Sequence, residues 1–124
     1  MTTAPTLQSL IADRWIGRSA AAALKSAVNG KTVYHTHSEG IDFAEALHHA
    51  RTTGGPALLA LDFQQRAARL KALAAYLIEH KEKLYPVSAH TGATRADGWV
   101  DIEGGAGTLF AYASVGAGEL PSGN

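Results

Sequence analysis

Asp101 and Glu103 are two carboxylates that lie close together in the sequence, and such a pair suggests acid–base chemistry. The apolar residues around them repeat at the period of a helix, and residues two positions apart on a helix point to different faces. We therefore expect a solvated or capping role for both side chains rather than a catalytic pair. The sequence contains no cysteine, so it offers no thiol nucleophile, disulfide or thiolate metal ligand.

Six histidines raise the question of a metal site. His35 and His37 would share one face of a predicted strand, whereas His48 and His49 fall on the following helix. Two ligands on a strand and one on a helix can hold zinc, but the spacing fixes no acidic residue or further histidine beside them. We therefore predict solvated or hydrogen-bonded histidines and no metal ligand.

The run Gly104-Gly105-Ala106-Gly107 invites comparison with a phosphate-binding loop. A dinucleotide loop needs Gly-x-Gly-x-x-Gly between a strand and a helix, but Phe110 stands where the third glycine belongs and the run lies within a helical pattern. Close helix packing is the better interpretation, and we predict no cofactor-binding residue. Arg66 and Arg69 could bind a phosphate, but we expect them to solvate a helix face.

The residues before the first helix predict extended structure. Residues 9–17 (SLIADRWIG) resemble one half-exposed strand with Ile11 and Trp15 on the same face, and residues 20–23 form a connector of small side chains. Residues 27–37 predict a hairpin because Asn29-Gly30 is a strong two-residue turn signal.

Three helices and one short helical turn are predicted beyond this point. Asp42, with Glu45 three residues later in a capping-box arrangement, begins the first helix, and Gly54-Gly55-Pro56 ends it before one short helical turn at residues 56–61. Asp62 and Gln65 begin the second, and Pro86 should kink or restart it. Thr94 and Asp97 begin the third. Its apolar stripe is Trp99, Ile102, Ala106, Leu109, Phe110 and Ala113, and that of the second is Phe63, Ala67, Leu70, Ala74, Leu77 and Ile78.

Length and charge narrow the class of protein. A chain of 124 residues suits one domain, residues 1–124, with a modest core. Its 11 basic and 11 acidic side chains balance, which argues against nucleic acid or an anionic membrane as partner. The first ten residues lack the basic and apolar regions of a signal peptide, so we expect a cytoplasmic protein.

Residues 91–97 (TGATRAD) connect two predicted helices and resemble a short junction near the start of aldehyde dehydrogenases, usually Glu-Thr-Gly-Lys-Pro. The order of strand, hairpin, helix, long helix, junction and helix covers nearly the whole chain. The resemblance therefore implies an α/β fold: the N-terminal part of the aldehyde dehydrogenase fold, incomplete as a stand-alone domain.

Two runs are similar to a narrower subgroup. Residues 91–105 (TGATRADGWVDIEGG) and 38–47 (SEGIDFAEAL) resemble the aldehyde dehydrogenase half of the bifunctional protein of phenylacetic acid degradation. A neighbouring similarity is to the semialdehyde dehydrogenase of the benzoyl-CoA pathway. The resemblance implies oxidation of a CoA-linked semialdehyde with NADP or NAD in a homo-oligomeric enzyme.

The family's cysteine nucleophile, water-activating glutamate and oxyanion-binding asparagine fall beyond Asn124 in family order, so the resemblance implies no catalytic residue here and an inactive chain. The chain departs from the family in two ways. His90 replaces an acidic residue of a monovalent cation site, which puts that site in doubt, and Ala93-Thr94 replaces Lys-Pro. The alternative is a self-contained helical binding or interaction module without catalysis.

One helix face carries a further expectation from the resemblance. In the family, the helix matching the last predicted helix flanks the substrate entry tunnel. Val100, Gly104 and Thr108 share one face of it at a spacing of four, and small side chains there would widen a path for a thioester-linked substrate. The alternative for these residues is ordinary helix packing.

Overall fold

The computed structural model describes residues 4–17 and 22–121. The chain divides into two compact units, Met1–Gly55 and Pro56–Asn124. The first unit contains two small antiparallel sheets and the start of the helical region, and the second is helical. The predicted α/β class is confirmed at this level. Within the described residues, no helix has both the length and the hydropathy needed to cross a membrane.

The first sheet is a tight hairpin where one strand was predicted. Strands β1 (Ser9–Ile11) and β2 (Arg14–Ile16) pair in antiparallel fashion. The intervening Ala12 and Asp13 have φ values of 47° and 61°. Positive φ at both central residues is the geometry of a type I′ turn, which reverses the chain.

The register of this hairpin also corrects the predicted face. Leu10 lies opposite Trp15, and Ile11 lies opposite Arg14. Directly opposed residues share a face and neighbours along a strand alternate, so Ile11 and Trp15 lie on opposite faces.

The second hairpin confirms the predicted turn and moves its first strand. Strands β3 (Ala22–Lys25) and β4 (Thr32–Thr36) pair around a turn in which Gly30 has a φ of 69°. Such a φ favours glycine, as the Asn-Gly signal predicts. A connector was predicted at residues 20–23, and this prediction is wrong for Ala22 and Ala23, which pair with β4. Residues 20 and 21 lie outside the described residues.

Helix α1 (Phe43–His49) begins as predicted and does not end as predicted. The Asp42 carboxylate accepts the Glu45 N–H at 2.9 Å. A π-helical turn, Ala50–Gly54, follows where the glycines were expected to end the helix. α2 (Gly55–Leu59) confirms the short helical turn predicted at residues 56–61 over most of that range. In this wider turn, the Gly55 N–H donates to the Ala50 carbonyl. Pro56 therefore lies in the first turn of a new helix, where its missing N–H costs little.

The second unit is organised by α3 (Phe63–Glu79) and α6 (Gly105–Gly118), which pack against each other. The predicted cap of α3 is confirmed, because Asp62 and Gln65 exchange backbone hydrogen bonds in a complete capping box. The side chains buried deepest on the two helices are alanines: Ala67, Ala74, Ala106 and Ala113. The apolar stripes therefore meet along a seam of small side chains.

The break after α3 falls earlier than predicted. His80, with φ −102° and ψ 8°, ends the helix, and α4 (Lys81–Ala89) contains Pro86 in its interior. The Nδ1 atom of His80 lies 3.0 Å from the Tyr76 carbonyl, and the two rings stack at 4.1 Å. Capping of the α3 carboxyl end by His80 thus places the restart of the helix before Pro86 and not at it.

The last helical stretch begins at its predicted cap. Thr94 and Asp97 form a capping box at the start of α5 (Arg95–Trp99), and a π-helical turn, Val100–Gly104, links α5 to α6. This turn was not predicted. It adds about one residue to a helical turn, which shifts every following side chain around the axis relative to an unbroken helix.

The seam between α3 and α6 makes a stability prediction. Ala74 has no exposed surface, so Ala74→Leu must displace neighbouring backbone and should lower the free energy of unfolding by about 1–3 kcal/mol. Ala75→Leu, one residue along on the exposed side of α3, is the matched control and should change it by no more than about 0.5 kcal/mol. Urea unfolding followed by circular dichroism measures both, and equal effects would contradict the assigned seam.

Candidate functional site

The most connected polar group of the second unit is the Glu103 cluster, formed by Glu103, Lys81 and Tyr85. Lys81 Nζ donates to Glu103 Oε2 at 2.9 Å, and the Tyr85 hydroxyl donates to Oε1 at 2.7 Å. Tyr85 is only 7% exposed, while the Lys81 and Glu103 side chains are partly buried. Both carboxylate oxygens are therefore engaged, and the cluster fastens the π-helical turn Val100–Gly104 to α4.

A second ion pair covers the same tyrosine. Arg95 donates to both carboxylate oxygens of Glu82, at 2.8 and 3.1 Å. Its guanidinium carbon also lies 3.5 Å from the centre of the Tyr85 ring, within range of a cation–π interaction. The pair is exposed on both sides, so its direct contribution to stability is small. It places a cation over the ring of Tyr85, joining α5 to α4.

The pKa shifts within the Glu103 cluster favour a structural role over a catalytic one. The hydrogen bond from Lys81, followed by that from Tyr85, lowers the pKa of Glu103. The same bond raises the pKa of Lys81, and the hydrogen bond to Glu103 raises that of Tyr85. A carboxylate with a lowered pKa and no free oxygen is a weak general base, and a phenol with a raised pKa is a weak nucleophile.

The solvated or capping role predicted for the two carboxylates Asp101 and Glu103 therefore holds only for Asp101. Asp101 is exposed, while Glu103 is half-buried and joins two elements. The partners of Glu103 lie 18 and 22 residues before it. No periodicity within one helix relates residues so far apart, and sequence reasoning missed Lys81, Tyr85 and Arg95 for this reason.

The Glu103 cluster predicts a specific pH dependence. The folded pKa of Glu103 lies below its ordinary value of 4.5, so its stabilisation is present above that value and is lost as the pH falls through the folded pKa. The raised pKa values of Lys81 and Tyr85 mean that their contributions are lost only as the pH rises through their folded pKa values. Glu103→Gln should therefore cost most stability near neutral pH.

Urea unfolding of both proteins across a pH series measures this effect. The free energies of unfolding of wild type and Glu103→Gln should converge below pH 4.5, whereas Glu79→Gln, an exposed carboxylate on α3, should show no such convergence. A constant difference between wild type and Glu103→Gln from neutral to acid pH would show that the charge of Glu103 contributes nothing.

The first unit contains a separate feature, which we call the His37 cavity. Its volume is about 520 Å³. Arg14 and Glu45 pair across it at 2.5 Å and tie β2 to α1. This pair explains why the capping box predicted at Asp42 is only half formed: the Glu45 carboxylate bonds Arg14 instead of the backbone. The lining residues are Arg14, Trp15, Ile16, Gly17, His37, Glu39, Gly40 and Glu45.

His37 is the unusual member of this wall. Both of its ring nitrogens are buried, and neither has a hydrogen-bond partner within residues 4–17 and 22–121. The sequence predicted a solvated or hydrogen-bonded histidine here, and that prediction is wrong for the described part of the chain. His35 pairs with Ala23 in the second hairpin, and its backbone also bonds Pro5 and Leu7.

The structure separates the histidines considered for a metal site. His37 follows β4, while His48 and His49 lie at the end of α1. In the described ranges, no three His, Cys, Asp or Glu side chains are grouped so as to hold a metal ion.

The residues predicted to flank a substrate path lie on the surface of the second unit. Val100 is exposed in the π-helical turn, and a Cβ atom added at Gly104 would meet nothing within 4 Å. The Thr108 hydroxyl donates to the Gly104 carbonyl at 3.1 Å. The three residues are open on the outside of their unit, and a tunnel role for them stays a prediction.

The two arginines considered as phosphate ligands differ in their surroundings. Arg66 Nε donates to the Leu61 carbonyl at 2.9 Å, and its guanidinium lies 5.3 Å from the Phe63 ring. Arg66 therefore holds the turn that leads into α3. Arg69 lies exposed on the same helix, as predicted.

Comparison with known proteins gives one informative similarity. The chain is 38% identical over 112 residues to the 3,4-dehydroadipyl-CoA semialdehyde dehydrogenase of Aromatoleum evansii. The aligned region covers 89% of this chain and 22% of that protein. No model of a known protein family matches. The predicted resemblance is thus confirmed: over most of its length, the chain is a sequence relative of a CoA-semialdehyde dehydrogenase, of which it spans less than a quarter.

Proposed function

We propose that the chain is a part of an NAD(P)-dependent aldehyde dehydrogenase that oxidises a CoA-linked semialdehyde to its acid during phenylacetate breakdown. The observation that carries the proposal is the 38% identity to a CoA-semialdehyde dehydrogenase across 89% of the chain. Oxidation of an aldehyde needs a hydride acceptor, which a nicotinamide cofactor supplies when bound. We further propose that the parent enzyme is cytoplasmic and homo-oligomeric.

The described residues do not themselves fit a nicotinamide dinucleotide. Gly104 ends a π-helical turn and Gly105 begins α6, so no strand leads into the glycine run. A pyrophosphate site at a helix N-terminus needs a strand, a tight glycine turn and free N–H groups. We therefore assign cofactor binding and catalysis to other parts of a longer enzyme and give this chain a scaffolding role.

The proposal predicts that the chain alone oxidises no aldehyde. The family's reaction proceeds through a cysteine thiohemiacetal, and this chain has no cysteine. The purified chain should show no reduction of NAD or NADP with short aldehydes or with a CoA-linked semialdehyde. Turnover above a boiled control would overturn this assignment. The reading frame downstream of the codon for Asn124 provides a second check, since an uninterrupted frame with a cysteine segment supports the parent enzyme.

The alternative of a self-contained interaction module makes an opposite prediction for solution behaviour. A part of a larger enzyme should be marginally stable and should associate, because apolar side chains such as Trp99 and Tyr112 are exposed. Sedimentation and thermal unfolding of the purified chain distinguish the two. A monomer with one sharp transition favours the module.

The proposed substrate path is tested at Gly104 in a dehydrogenase that contains this chain. Gly104→Leu should lower kcat/KM for a CoA-linked semialdehyde by roughly tenfold more than for a small aldehyde, because leucine would fill space that the long thioester must cross. Gly104→Leu should not lower the stability of the fold, because the space around Gly104 is open and leucine has a better helix propensity than glycine. A change in kcat/KM can therefore be attributed to the substrate path. Equal losses with both substrates would remove Gly104 from the proposed substrate path.

A further inference from the structure

The His37 cavity is a built site within the first unit. Its walls come from β2, from the residues that follow β4 and from the first turn of α1. The ion pair between Arg14 and Glu45 closes one side. Gly40 adopts a φ of 79° at the turn, and Gly17 has a φ of 141° at the end of β2, conformations that favour glycine. The cavity is thus shaped by specific backbone geometry.

The charges in the wall indicate the sign of an occupant. Arg14 is neutralised by Glu45 at 2.5 Å. Glu39 is exposed and has neither a hydrogen bond nor an ion pair with any other described residue. Among the described residues, the lining therefore carries one carboxylate more than it carries cations. Phosphate and carboxylate groups would be repelled by this excess, whereas a cation would be attracted.

Three further groups in the wall bear on what kind of cation fits. Trp15 is 66% exposed, and its indole offers the best side-chain face for a cation–π interaction. Ile16 adds apolar surface beside it. The ring nitrogens of His37 lack partners within the described residues, and such buried polar groups are normally completed by water or a ligand.

We propose that the His37 cavity binds a small organic cation. Its ammonium group pairs with the Glu39 carboxylate and lies against the Trp15 indole, while its apolar body covers Ile16. The site is independent of the proposed dehydrogenase function and uses none of the residues assigned to the substrate path.

An NMR titration of the isotope-labelled chain with benzylammonium tests this inference. Backbone signals of residues 14–17 and 37–40 should shift across the millimolar range. Benzyl alcohol, which has the same shape without the charge, should bind at least about fivefold more weakly. Glu39→Gln should weaken benzylammonium by a similar factor, and its exposed position leaves the fold unaffected. Glu79→Gln, an equally exposed carboxylate on α3, is the matched control and should bind as wild type.

A second variant tests the contact with the Trp15 indole separately from the attraction to the Glu39 charge. Trp15→Leu keeps an apolar side chain on β2 and should also weaken benzylammonium, with circular dichroism confirming the fold. Three results would overturn the inference: no shifts at residues 14–17 and 37–40, equal affinity for benzylammonium and benzyl alcohol, or an unchanged affinity in Glu39→Gln. Activity assays of a dehydrogenase do not enter these outcomes, so failure here leaves the proposed function standing.

Discussion

Close packing between α3 and α6 is the constraint on which the second unit depends. The residues buried along this seam are alanines, and Gly116 approaches Ala67 so closely that an added Cβ would lie 3.2 Å from the Ala67 Cβ. Small side chains let two helices approach closely, but each buries little apolar area. Among the described residues, no large side chain is fully buried. The unit is therefore held by good contact over a thin core, where added volume is poorly tolerated.

The Glu103 cluster builds on that seam. While α6 is fixed against α3, the π-helical turn before it is tied to α4 by Lys81 and Tyr85, which donate hydrogen bonds to Glu103. Gly98 fits the same region, because a Cβ there would lie 3.1 Å from Ser88 Oγ. π-Helical turns persist where specific contacts offset their poorer geometry, and this cluster provides such contacts.

In contrast to the buried alanines, many large apolar side chains are exposed. Trp99, Val100 and Tyr112 are exposed in the second unit, as is Phe43 in the first. A monomer with so thin a core and so many exposed apolar groups is unusual. The proposed parent enzyme explains this pattern, because its remaining parts would cover such surfaces. The His37 cavity stands apart, since its lining combines the Glu39 carboxylate, which has no partner among the described residues, with the exposed face of Trp15.

The sequence by itself determined the features that depend on neighbours along the chain. The caps at Asp42, Asp62 and Thr94 and the turn at Gly30 follow from side chains that bond backbone within a few residues. The similarity to a CoA-semialdehyde dehydrogenase was also recognisable from short runs. Tertiary structure decided the rest. The partners of Glu103 and the cavity around His37 depend on groups far apart in sequence. Local propensity carries no information about such contacts, because their energy exists only once the chain has brought those groups together.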